Sequence, residues 1–167
     1  MKKVAVLVED LYQDLEVWYP ILRLREEGFE VVVVGTGKGS YKGKHGYPID
    51  EDLPIDRAKP DEFSGVVIPG GYAPDILRRY PAINRFVRSI FEKGGVVASI
   101  CHGGWVLISA DIVRGRRVTS FFAIKDDLVN AGAQFEDSEV VVDGNLVTSR
   151  KPDDLPAFLK AIIGLLR

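Results

Sequence analysis

The sequence predicts an α/β fold in which an open, mostly parallel sheet carries helices on both faces. Two observations predict it: short apolar runs typical of strands buried on both faces, and amphipathic segments that alternate with these runs along the chain. The apolar runs lie at residues 4–8, 30–35, 65–69 and 95–100. In such a sheet ligands bind beyond the carboxyl ends of the strands, so a functional site is expected there.

The first helix is predicted between the first two strands. Its apolar positions recur at roughly helical spacing among charged residues: Leu15, Trp18, Leu22 and Leu24. Gly28 follows as a signal for the helix end. Pro20 lies inside the segment and cannot donate to the carbonyl four residues back, so it is expected to kink the helix or to mark a short first segment.

Two more helices and a hairpin are predicted further along the chain. A helix over residues 83–93 begins near Pro81, and a last helix opens at Pro152, because proline suits the first turn of a helix. A strand at 139–143 turns back into a strand at 146–149. The glycine-rich, charged segment 36–55 breaks the alternation and is expected to form a hairpin or excursion at one edge of the sheet.

Length and charge limit the possible functions. The 167 residues are expected to form one domain, residues 1–167, because a single core serves roughly 100 to 200 residues. The net charge of -2 leaves no strong field of one sign, so neither nucleic-acid nor membrane binding is expected. The amino-terminal apolar run is too short for a signal peptide, and Cys101 is the only cysteine. A cytoplasmic location is therefore expected.

Cys101 stands where a buried strand runs into a Gly-Gly step and an apolar helix. A nucleophile elbow at this point requires small residues two positions before and after the nucleophile, and Ser99 and Gly103 satisfy this requirement. The thiol would face a helix amino terminus, which favours the thiolate at neutral pH, with His102 beside it. The alternative is a small buried residue that only fills the end of the strand.

A second glycine pair, Gly70-Gly71, ends the preceding strand at the same edge. Together with the N–H of His102, its backbone N–H groups are candidates for an oxyanion hole. Polar residues after the first strand are candidates to line the site, although each could equally be a helix cap or a solvated charge: Glu9, Asp10, Gln13, Asp14 and Glu16. His45 is expected to be a solvated loop residue, and no metal or cofactor is expected, because the chain has neither a ligand cluster nor a phosphate loop.

Five segments together resemble the PfpI-type intracellular cysteine peptidases of the class I glutamine amidotransferase-like superfamily. They are residues 98–103, 69–75, 43–47, 124–132 and 148–150. Relatives of these peptidases include chaperones, cofactor-independent glyoxalases and deglycases. The resemblance covers nearly the whole chain and implies a flavodoxin-like three-layer α/β/α sandwich that forms a homo-oligomer, a dimer or a hexamer.

The resemblance also implies roles for particular residues. Cys101 would be the nucleophile, and Asp75 of an adjoining subunit would orient His102. Tyr72 and Arg150 would line the site.

Two positions depart from the family pattern. The family's Phe-Glu-Asp step, whose glutamate contacts the cysteine, is Tyr12-Gln13-Asp14 here, so Gln13 is expected beside the sulfur, where it cannot shuttle a proton. Phe121 stands where some relatives have a tyrosine.

These residues favour a cysteine-dependent hydrolase that attacks carbonyl groups of peptides or small acyl compounds. Two alternatives remain open. One is glyoxalase or deglycase-like detoxification of reactive aldehydes, for which Gln13 in place of a glutamate is unfavourable. The other is a redox-sensing stress chaperone without catalysis, in which the thiol is oxidised.

Overall fold

The computed structural model describes residues 1–167. Its strands are β1 (Lys3–Leu7), β2 (Glu30–Gly35), β3 (Ser40–Lys42), β4 (Pro48–Asp50), β5 (Leu53–Pro54), β6 (Gly65–Ile68), β7 (Val96–Ile100), β8 (Arg117–Val118), β9 (Gln134–Phe135), β10 (Val141–Asp143) and β11 (Leu146–Ser149). Its helices are α1 (Asp14–Glu26), α2 (Ala73–Leu77), α3 (Pro81–Glu92), α4 (Gly104–Ser109), α5 (Lys125–Asn130) and α6 (Leu155–Leu166).

Seven strands form the central sheet in the order β10-β11-β7-β6-β1-β2-β5. All neighbouring pairs are parallel except β10 and β11, which form the predicted hairpin. Helices α1 and α6 pack together, and α2, α3 and α5 contact α4. The predicted flavodoxin-like α/β class is confirmed. No helix combines the length and the apolar character that crossing a membrane requires.

Helix α1 differs in detail from its prediction. It continues through Pro20 as one helix, and Gly28 follows it with a φ of 92°, as the helix-ending signal required. Leu15 and Leu22 are more than half exposed, because Val17, Ile21 and Leu24 form the buried face. The same face also buries one acidic residue, Glu16.

The segment 36–55 forms the hairpin β3–β4 and the edge strand β5. The hairpin lies against the loop that follows β1, where Leu11 N–H donates to the Lys42 carbonyl at 2.8 Å and Lys44 N–H donates to the Tyr12 carbonyl at 2.9 Å. Its tip is therefore held at the carboxyl end of β1, next to the ends of β6 and β7.

Candidate active site

Cys101 occupies the predicted elbow at the end of β7. Its φ is 61°, a left-handed conformation that L-residues rarely adopt. A Cβ at Gly103 would lie 2.8 Å from the Ile68 carbonyl oxygen and 3.2 Å from the Ser99 Cβ, so the turn needs the small residues that the sequence supplies. The following helix α4 begins only at Gly104, after a 3₁₀ turn.

The carboxyl group of Glu16 is buried beside Cys101. Its Oε1 accepts a hydrogen bond from Gly70 N–H at 2.8 Å, and its Oε2 is buried without a partner. A Cβ on Gly70 would lie 2.6 Å from the Glu16 Oε1 and 2.9 Å from the Cys101 Sγ, which shows how closely the three residues meet. Burial raises the pKa of Glu16 to about 8, so this carboxyl is protonated at neutral pH.

The resting thiol of Cys101 is also neutral. Burial raises its pKa to about 12, and the charge of Glu16, when ionised, adds to the rise. The backbone N–H groups of Gly71 and His102 bond the sulfur and favour the thiolate, but they do not offset the burial. The expected resting thiolate is therefore contradicted, because a protein interior disfavours the charged form more than these N–H groups stabilise it.

His102 provides a base for this thiol. Its Nδ1 lies 3.2 Å from the Cys101 Sγ, and its ring stacks on Phe121 with centroids 5.2 Å apart. Trp105 contacts the same ring edge-on. Burial lowers the pKa of His102, and the charge of Lys44 lowers it further, so the imidazole is neutral and can accept the thiol proton.

Gln13 does not occupy the position expected from the family pattern. Its side-chain oxygen accepts hydrogen bonds from the N–H groups of Leu15 at 2.8 Å and Glu16 at 3.2 Å, so it caps α1. Gln13 lines the cleft, but the carboxyl beside the sulfur belongs to Glu16, one helical turn later. The expectation that residue 13 stands beside the sulfur is wrong, and Glu16, one of the residues expected to line the site, is there instead.

Gly70 is also corrected as an oxyanion-hole donor. Its N–H is used by the Glu16 carboxyl and is not free for a substrate. The N–H groups of Gly71 and His102, which face the sulfur, remain as the candidate donors. Gly71 has a φ of 74°, and a Cβ there would lie 2.5 Å from the Leu11 carbonyl oxygen, so only glycine fits.

Asp75 makes no contact with His102 of its own chain. Its carboxylate forms an ion pair with Arg79, which also donates to the Tyr72 hydroxyl at 3.3 Å. The supply of Asp75 to His102 by an adjoining subunit stays a prediction.

The Cys101 thiol opens into a cleft of about 550 Å³. The cleft is lined by Leu11, Gln13, Glu16, Lys44, Gly71, Tyr72, Cys101, His102, Trp105, Phe121, Lys151 and Pro152. Arg150, expected to line it, instead pairs with Asp137 and Asp154 and faces a neighbouring cleft of about 470 Å³. Phe121 and Lys151 belong to both clefts.

Five residues that line the cleft were not predicted to do so: Leu11, Lys44, Trp105, Lys151 and Pro152. Lys44 lies in segment 43–47, and Trp105 lies in the apolar helix predicted after Cys101, but the sequence analysis gave neither residue a role.

The remaining acidic candidates hold the β3–β4 hairpin in place. Glu9 accepts from the Thr36 hydroxyl, and Asp10 pairs with Lys38. Asp14 accepts the N–H groups of the hairpin tip. These three carboxylates therefore hold the hairpin, a role that differs from both the expected lining of the site and the alternative of a helix cap or a solvated charge.

We expect the burial of Glu16 to make the protein less stable as pH rises from about 5 to about 8. The folded pKa of about 8 exceeds the ordinary value of 4.5, so the stabilisation is fully present below about 4.5 and is lost as pH rises through about 8. At about 1.4 kcal/mol per pH unit, the loss is on the order of 4 kcal/mol. Urea unfolding of the wild type and of Glu16→Gln across this range measures it.

The control for this measurement is Glu26→Gln, which alters an exposed carboxylate on the same helix. Glu26→Gln should keep the wild-type slope of unfolding free energy against pH, and Glu16→Gln should flatten it. An identical slope in wild type and Glu16→Gln would mean that Glu16 is ionised in the folded protein.

A mostly parallel α/β sheet with a cysteine on a strained elbow, a neutral histidine and a buried carboxyl defines a protein of the flavodoxin-like class with a candidate nucleophilic cysteine. The family model described as DJ-1/PfpI matches residues 2–165. The chain belongs to the DJ-1/PfpI family, as its motifs predicted.

Individual relatives match over the same extent. The chain is 48% identical over 165 residues to Deglycase TK1284 of Thermococcus kodakarensis, and 45% identical over 165 residues to Deglycase PfpI of Pyrococcus furiosus, with 99% of each chain covered in both cases. A solved two-domain protein from Anabaena variabilis, with DJ-1/ThiJ/PfpI-like and ferritin-like domains, matches with a TM-score of 0.98 and 48% identity. That match covers 99% of this chain and 48% of the other.

Proposed function

We propose that this protein is a cysteine-dependent deglycase that removes α-oxoaldehyde groups, such as that of methylglyoxal, from amines and thiols and releases them as hydroxy acids. The observation that carries the proposal is the protonated Glu16 carboxyl beside the Cys101 thiol. The names of the two archaeal relatives support the same choice over a peptidase. This reverses the order in which the sequence had placed the two activities.

The reaction needs both the Cys101 thiol and the Glu16 carboxyl. His102 takes the thiol proton, and the Cys101 sulfur attacks the carbon that bears the hydroxyl and the amine; the S–C bond forms, the C–N bond breaks, and the amine leaves with a proton. The resulting hemithioacetal carries a neighbouring ketone. Glu16 gives its proton to the ketone oxygen and takes the proton of the sulfur-bearing carbon, which produces an enediol.

The same carboxyl then converts the enediol to a thioester by a second pair of proton transfers. Glu16 delivers a proton to the former ketone carbon and takes the hydroxyl proton of the sulfur-bearing carbon, which leaves a thioester of lactate. Water hydrolyses the thioester, with the N–H groups of Gly71 and His102 available to its oxyanion. The sum is adduct plus water giving amine plus lactate, with no oxidant or cofactor.

Peptide hydrolysis requires a different set of catalytic groups. It needs a proton donor for the leaving amine and an oriented histidine, but it does not move a proton between carbon atoms. Within one chain Asp75 is bound to Arg79, and no other carboxylate orients His102. A buried neutral acid beside the sulfur therefore fits the aldehyde chemistry better.

The test is to follow the methylglyoxal adduct of N-acetylcysteine and the appearance of lactate together. We expect the wild type to consume the adduct faster than it dissociates spontaneously, and Cys101→Ala to return the rate to the spontaneous one. A wild-type rate that never exceeds spontaneous dissociation would show that only the free aldehyde is a substrate. Hydrolysis of peptide bonds without lactate formation would overturn the proposal.

A further inference from the structure

The Cys101 cleft contains two lysines without acidic partners. Neither Lys44 nor Lys151 forms an ion pair or a side-chain hydrogen bond within the chain, although both line the cleft. Glu16 is the only acidic residue among the lining residues, and it is neutral at neutral pH. The walls are otherwise largely apolar or aromatic, so the cleft carries a net positive charge.

Hydrogen bonds to the backbone of the hairpin tip fix the position of Lys44. Its N–H donates to the Tyr12 carbonyl at 2.9 Å, and the Asp14 carboxylate accepts the N–H groups of His45 at 3.1 Å and Tyr47 at 3.2 Å. A Cβ on Gly43 would lie 2.2 Å from an Asp14 oxygen, so glycine is needed for this contact. The hairpin tip is therefore clamped onto the start of α1, with Lys44 at the cleft.

The charge of Lys44 reaches each of the three groups that carry the chemistry. It lowers the pKa of Glu16, of the Cys101 thiol and of His102. These three groups and Lys44 line one cleft, so its ammonium group is close enough to act on all three at once.

We propose that the cleft selects carbonyl compounds that carry an anionic group, a carboxylate or a phosphate, close to the reactive carbon, and that Lys44 and Lys151 hold this group. The proposal deepens the proposed function by naming its substrate class, and as far as turnover is concerned it rests on that function. Lys151, at the boundary with the neighbouring cleft, would hold an anion that lies further from the sulfur, as in larger adducts.

The first experiment does not depend on any enzymatic activity. Iodoacetate and iodoacetamide alkylate a thiol by the same step, in which the S–C bond forms and iodide leaves, and they differ in one negative charge. Cys101 is the only cysteine, so mass spectrometry reports this site alone. The readout is the ratio of the iodoacetate rate to the iodoacetamide rate.

We expect this ratio to be higher in the folded protein than in the urea-unfolded chain, and to fall by about 3- to 10-fold in Lys44→Gln. Lys44→Arg should retain the ratio, and added salt should lower it in the wild type. Lys42→Gln is the matched control, because Lys42 is an exposed lysine of the same hairpin outside the cleft. A folded-protein ratio equal to that of the unfolded chain, or one that Lys44→Gln leaves unchanged, overturns the proposal.

The second experiment compares methylglyoxal adducts in pairs. N-acetylcysteine and its amide differ in a carboxylate, and guanosine monophosphate and guanosine differ in a phosphate, so the two pairs distinguish the sources of the anion. We expect a higher kcat/KM for the anionic member of at least one pair, and a smaller preference in Lys151→Gln but not in Lys160→Gln, an exposed lysine of α6. Turnover of all four adducts without preference would contradict the proposal while leaving the deglycase function intact.

Discussion

Glu16→Gln is expected to lower deglycase turnover by about 100- to 10,000-fold, the range that a positioned acid or base contributes. The glutamine retains the length of the side chain and an oxygen that can accept the Gly70 N–H. It has no proton to exchange, so the hemithioacetal forms but its ketone is not converted to an enediol. Stopped-flow measurement of adduct loss and lactate release should therefore show that thiol addition survives while lactate release is lost.

The control for this prediction is the double variant Gln13→Glu with Glu16→Gln. Since the side-chain oxygen of Gln13 caps α1, a carboxylate at position 13 should accept the same N–H groups and should not restore turnover. Wild-type turnover in Glu16→Gln would show that another group moves the proton. Restoration by the double variant would place residue 13 beside the sulfur after all.

Gly70→Ala is expected to lower turnover by at least about 100-fold, because displacement of reacting groups by about 1 Å can have an effect of that size. The added methyl group would lie 2.5 Å from the Cys101 Cβ and 2.6 Å from the Glu16 Oε1. Both side chains must therefore move apart, and the overpacking should cost about 1 to 3 kcal/mol of stability. Turnover, the rate of iodoacetamide alkylation and the urea midpoint should all change.

Gly164→Ala provides the matched control. A Cβ at Gly164 in α6 meets nothing within 4 Å, so the alanine should leave turnover unchanged and stabilise the helix by up to about 1 kcal/mol. If Gly70→Ala retained full turnover, Cys101 and Glu16 would not need the close contact that the geometry gives them.

The order and type of the principal elements followed from local patterns. Strands such as β1 and β7 are buried on both faces, so they had to be continuous apolar runs, and their period is visible without knowledge of the fold. The same reasoning did not predict which face of α1 is buried. Leucines at helical spacing, such as Leu15 and Leu22, satisfied the pattern although they are exposed, because spacing alone does not indicate which side a sheet will cover.

The sequence by itself determined the class of fold, the family and the elbow at Cys101, because these depend on residue periodicity and on small residues at fixed distances from the cysteine. Only the tertiary structure decided which side chain at the start of α1 reaches the sulfur. Gln13 and Glu16 are one helical turn apart, and the choice between them depends on a close approach to Gly70, which is distant in sequence. The same holds for Lys44 and for the pKa of the thiol, because charge and burial depend on which groups three separate chain segments bring together.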